Sequence, residues 1–145
     1  MRTWIIGAAM LASAFAATPA LAQDSSYKLG PLWTAVRIDV EDGQFENYMD
    51  WLTKVWVENQ AFAKSQGWIL DYHILDSVNP RHGEPDLILL TSFRDFPSTA
   101  EVERRNDIIN KRMNQDDHAA DAASGQRTKM RTSMGSVLYR EVLKR

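Results

Sequence analysis

The run Asp86–Phe93, DLILLTSF, constrains the fold most. Leu87 and Leu89 fill one alternate set of positions, Ile88 and Leu90 the other. A strand that is apolar on both faces belongs in the middle of a sheet that is covered on both sides. A fold for this chain therefore has to explain what lies against each face of that sheet.

One cover is legible upstream. From Gln44 to Ser65, Phe45, Tyr48, Met49, Leu52, Val55, Trp56, Asn59 and Phe62 recur at helical spacing, and Gly67 ends the run. Trp51 and Val57 fall off this stripe, which points them to solvent or to a partner chain. Before the helix, Leu32–Val40 (LWTAVRIDV) alternates as a strand. After it, Trp68–Ser77 (WILDYHILDS) reads as a second strand, followed by a turn-rich SVNPRHGEP. A second helix opens at Pro97-Ser98-Thr99, where Ser98 and Glu101 have the spacing of a capping box. NQDDHAADAASG reads as a short helix or an Ala-rich loop, and Thr132–Leu143 as a fourth strand.

The order is β-α-β-β-α-β. It predicts an α+β, ferredoxin-like fold: one four-stranded antiparallel sheet, strand order 4-1-3-2, and both helices on one face.

The first residues stand apart from this pattern. Arg2, an apolar run from Trp4 to Phe15 and the small-x-small Ala20-Leu21-Ala22 form the three parts of a secretory signal peptide, residues 1–22. Residues 23–30 read as a flexible leader and 31–145 as one domain. The expected location is periplasmic or secreted, with no membrane attachment after cleavage. The chain has no cysteine, which excludes disulfides, thiolate catalysis and cysteine-bound metal. A net charge of −2 leaves no basic field for nucleic acid.

The layout, the length and the strand patterns from Pro31 to Leu143 resemble the dimeric α/β-barrel superfamily. Its small members include cofactor-free antibiotic-biosynthesis monooxygenases and stress-responsive barrel proteins. The resemblance implies a homodimer in which the helix-free face of each sheet packs on that of a second subunit and encloses a lumen. It implies no cofactor.

Strand alternation then sorts the candidates. Trp68, Leu70, Tyr72 and Ile74 share the face toward the helices. Ile69, Asp71, His73 and Leu75 share the other, as do Trp33, Arg37 and Asp39 on the first strand. Charges on inner strands are costly when buried alone, so Arg37, Asp39, Asp71 and His73 are expected to meet each other, water or a ligand. Three readings stay open: a polar network that sets dimer register, a small-molecule pocket, or a solvated sheet face. As a site, His73 would be acid or base, Asp71 its orienter and Arg37 the holder of an oxyanion. Trp33, Asp39, Ile69 and Leu75 would line the ligand.

Asp71-x-His73 offers two metal-ligand types about 6–7 Å apart at Cα. A catalytic metal usually takes three protein ligands, so no metal is expected. No activated serine is evident. His82 lies in a turn and His118 on a polar helix surface. Arg127, Lys129 and Arg131 read as an anion site or, more simply, as a basic edge that discourages strand aggregation. Two functions remain: an exported barrel that binds a small, partly apolar molecule or is structural, and a cofactor-free monooxygenase-like enzyme acting on such a molecule.

Overall fold

The computed structural model describes residues 24–145; the expected signal peptide, residues 1–22, lies outside the described residues. Nine elements follow in order: β1 (Tyr27–Val40), α1 (Phe45–Trp51), a π-helical segment (Leu52–Trp56), α2 (Val57–Ser65), β2 (Asp71–Asp76), β3 (Leu87–Phe93), α3 (Thr99–Met113), α4 (Asp117–Arg127) and β4 (Arg131–Lys144). All strand pairs are antiparallel and the order across the sheet is β2-β3-β1-β4. The strand with two apolar faces, β3, is an inner one, as its sequence requires. The architecture is α+β with a single four-stranded sheet, consistent with a ferredoxin-like arrangement.

The register fixes which side chains share a face. Asp71, Ser92, Trp33 and Tyr139 form one row across the sheet, and His73, Leu90, Ala35 and Val137 the next row on that face. Between them run the residues of the opposite face. There Ile38, Leu87 and Leu89 bury against Tyr48 and Leu52 of the long helix, flanked by Val36, Val40, Ile74, Met49, Trp51 and Trp56. This is the hydrophobic core. Tyr48 and Leu52 are essentially inaccessible. Trp51, expected off the stripe, in fact stacks on Tyr48 at 5.7 Å, three residues back along the same helix.

The long helix ends for a reason visible in its backbone. Gly67 has φ +70°, Gly67 N–H donates to Lys64 and Trp68 N–H to Ala63. That pair of bonds is a Schellman motif, and the Trp68–Phe62 edge contact at 5.6 Å supplies its hydrophobic clasp. The motif also shortens the second strand. Trp68, Ile69 and Leu70 belong to the turn, so the expected placement of Ile69 on the helix-free face is corrected. Ile69 instead lines a hollow of about 190 Å³ with Trp68, Phe93, Asp95, Phe96, Pro97 and Arg105.

The leader also needs correction. Tyr27, Lys28 and Leu29 pair with Lys144, Leu143 and Val142, which makes them strand. Their apolar side chains are largely exposed, so no alternation betrays them. The ladder to β4 shifts register between Leu29 and Leu32 and again between Val36 and Ile38. In the first bulge Gly30 and Pro31 oppose Glu141, a place where proline's missing N–H is tolerated. In the second, Met134 and Gly135 oppose Arg37, with Gly135 at φ +89°.

α3 starts at Ser98, whose hydroxyl accepts from Glu101 N–H. Glu101 does not complete the capping box with its own side chain. Its carboxylate instead takes Arg104 and Arg105, at 2.6–2.8 Å. Both guanidinium groups flank the Trp68 ring. These bonds hold the Glu101 carboxyl well below the usual carboxylate range, at about 2. The Ala-rich stretch is a helix, α4, capped by Asp116. α3 joins α2 through Arg112 over Phe62, and α4 joins α1 through Arg127 over Trp51. Among the described residues no helix is long and apolar enough to cross a membrane.

Candidate functional site on the helix-free face

His73 projects from the middle of β2 and Trp33 from β1, with β3 between them. Their rings lie 5.9 Å apart and 17° from parallel. The intervening residue in the Trp33 row is Ser92, only 1% exposed. A large side chain there would occupy the space that the two rings share; serine leaves it free. The indole is fixed on its far side by Nε1, which donates to Glu141 Oε2 at 3.2 Å.

Asp71 stands at the outer edge of β2. Its Oδ1 accepts from Lys64 Nζ at 2.9 Å and from Tyr72 N–H at 3.0 Å. Its Oδ2 lies 3.7 Å from His73 Nε2. The Lys64 hydrogen bond, then the Tyr72 bond and the nearby Lys64 and His73 charges, lower the pKa of the Asp71 carboxyl. Lys64 comes from the last turn of α2 and reaches round the sheet edge past the Tyr72 ring. A continuous line of contacts thus runs Lys64–Asp71–His73–Trp33–Glu141 across the open face.

Two of these five were not anticipated. Lys64 becomes Asp71's partner because the Schellman turn reverses the chain at once. Glu141 meets Trp33 because β4 carries it two residues beyond Tyr139, Trp33's cross-strand neighbour. Its alternation with Tyr139 was the available signal.

The other expected members are dispersed. Arg37 lies in the row of Leu75 and Ile88 on the same face. It forms no ion pair with Asp71 or His73, whose partners are those already named. Asp39 is exposed near the end of β1, opposite Thr132. Leu75 is 46% exposed, two residues beyond His73. Of the alternatives open to Arg37, Asp39, Asp71 and His73, each other, water or a ligand, only Asp71 and His73 adjoin one another. The Asp71 and His73 side chains are 44% and 50% exposed in the single chain, so water solvates them.

Chemically, the site combines an aromatic plate, an imidazole and a carboxylate. The 3.7 Å separation is an ion-pair distance, longer than a hydrogen bond. The apolar side chains Leu90, Val137 and Tyr139 continue the face beside it, and Val137 and Tyr139 are exposed. Among the described residues no three His, Asp or Glu side chains gather as a metal site. Comparison with family models, curated proteins and solved structures returns no match.

Proposed function

We propose that this is an exported protein, periplasmic or secreted, whose helix-free sheet face closes against that of a second copy as in a dimeric α/β barrel. The enclosed lumen holds a small, planar, partly apolar molecule. The observation that carries this reading is the near-parallel pair of Trp33 and His73, pinned by Glu141 on one side and facing Asp71 on the other. A face with exposed Leu75, Val137 and Tyr139 is the kind of patch that marks an interaction surface. A planar ligand gains stacking against Trp33 and a polar contact to His73.

The second reading is a cofactor-free monooxygenase-like enzyme with His73 as acid or base. The proximity of Asp71 to His73 favours it. The absence of a hydrogen bond between them, and the separate position of Arg37, rank it second.

Titration of the protein with 2-naphthol, followed by fluorescence, tests the binding reading. Saturable binding that weakens in Trp33→Ala and in His73→Ala is the expected result. No saturable binding, or binding untouched by both changes, removes it.

A further inference from the structure

Two arginine pairs among the described residues, Arg104 with Arg105 and Arg127 with Arg131, are settled in opposite ways. Arg104 and Arg105 share the Glu101 carboxylate, so their charge is answered within α3. Among the described residues Arg127 and Arg131 have no such partner. α4 ends at Arg127, a tight turn follows with Met130 N–H donating to Arg127 C=O, and β4 begins at Arg131. The spacing of four residues across this turn brings both side chains to α1.

There they meet aromatic surface. The Arg127 guanidinium lies 4.7 Å over the Trp51 ring, which itself stacks on Tyr48. Burial raises the Tyr48 pKa, and the positive charge of Arg131 near its hydroxyl works against that rise. The Nε of each arginine is buried without a hydrogen-bond partner among the described residues. The nearby Glu41 carboxylate is turned instead to Thr132 Oγ1, at 2.9 Å. Burial first, and then the Arg131 charge, push the Arg127 pKa down.

Two like charges held together in partly desolvated surroundings are unfavourable unless a counter-charge joins them. Guanidinium forks fit the paired oxygens of carboxylate and phosphate. The Arg127 fork is also held in advance, by the Trp51 ring. We propose that Arg127 and Arg131, backed by Tyr48 and Trp51, form a binding site for a small oxyanion. It lies on the helix side of the sheet, separate from the Trp33–His73 face.

Calorimetric titration of the protein with inorganic phosphate and, separately, with acetate, at constant ionic strength, tests this. Saturable binding at one site per chain is expected for at least one probe. Binding of acetate alone assigns a carboxylate ligand, and binding of phosphate alone a phosphorylated one. Arg127→Lys and Arg131→Lys keep the charge and most of the bulk but lose the fork, and each should weaken binding by about tenfold or more. A measurement on the unaltered protein stands beside the variants: phenylglyoxal modification, mapped by mass spectrometry, should be slowed at Arg127 and Arg131 by the bound anion and unchanged at Arg37. No saturable binding of either probe, unchanged affinity in folded variants, or equal protection of all three arginines would overturn the proposal.

Discussion

The rings of Trp33 and His73 lie nearly parallel, 5.9 Å apart, on the face where Ser92 is Trp33's neighbour on β3. They come from strands that do not pair with each other, and the contact crosses β3 where Ser92 stands beside Trp33 and Leu90 beside His73. This makes the aromatic plate a property of the assembled sheet.

His73 can be removed without breaking the fold. Its side chain is half-exposed and its carboxylate neighbour keeps Lys64 as a partner. His73→Ala should therefore change stability by less than about 1 kcal/mol in a denaturant melt. A much larger loss would identify His73 as a structural member of the network.

Acid should weaken α3 through Glu101. Its carboxyl is held at about 2 in the folded chain, against 4.5 for the unperturbed group, chiefly by hydrogen bonds from Arg104 and then Arg105. A carboxyl whose folded pKa is depressed contributes stability above its unfolded value, and that contribution fades as pH falls from about 4.5 toward 2. Melting temperature measured against pH should drop across this window, and drop less in Glu101→Gln. Identical profiles for the two proteins would contradict the assignment.

Gly67 should resist replacement. Its φ of +70° closes the Schellman motif, and no atom stands where a Cβ would go. Gly67→Ala therefore tests the backbone alone, with an expected loss of about 1–2 kcal/mol in a denaturant melt. No loss would mean that the turn relaxes freely.

Periodicity revealed much of this architecture. Val36, Ile38 and Val40 against the helix, with Trp33 and Arg37 opposite, follow from alternation alone. So does the inner position of β3, from its two apolar faces. Residues whose position depends on irregular backbone were not legible. Ile69 was misplaced because the strand starts only after the Schellman turn. The Tyr27–Gly30 segment was hidden because its pairing with β4 buries little side-chain surface. The π-helical segment Leu52–Trp56 has no compositional mark in an otherwise regular stripe. Within the candidate site, Asp71 and His73 were found through their position on an apolar strand. Lys64 and Glu141 were missed because each arrives from an element whose register no local pattern specifies.

In the proposed dimer the helix-free face is covered by a second copy of the chain. Sedimentation equilibrium at micromolar concentration tests it most directly, with Tyr139→Glu run beside the unaltered protein. Tyr139 is 55% exposed on that face in the single chain, so the substitution leaves the core untouched while placing a charge at the expected contact. The unaltered protein should sediment at twice the mass of one chain and Tyr139→Glu at the mass of one. A clean monomer for the unaltered protein would contradict the account.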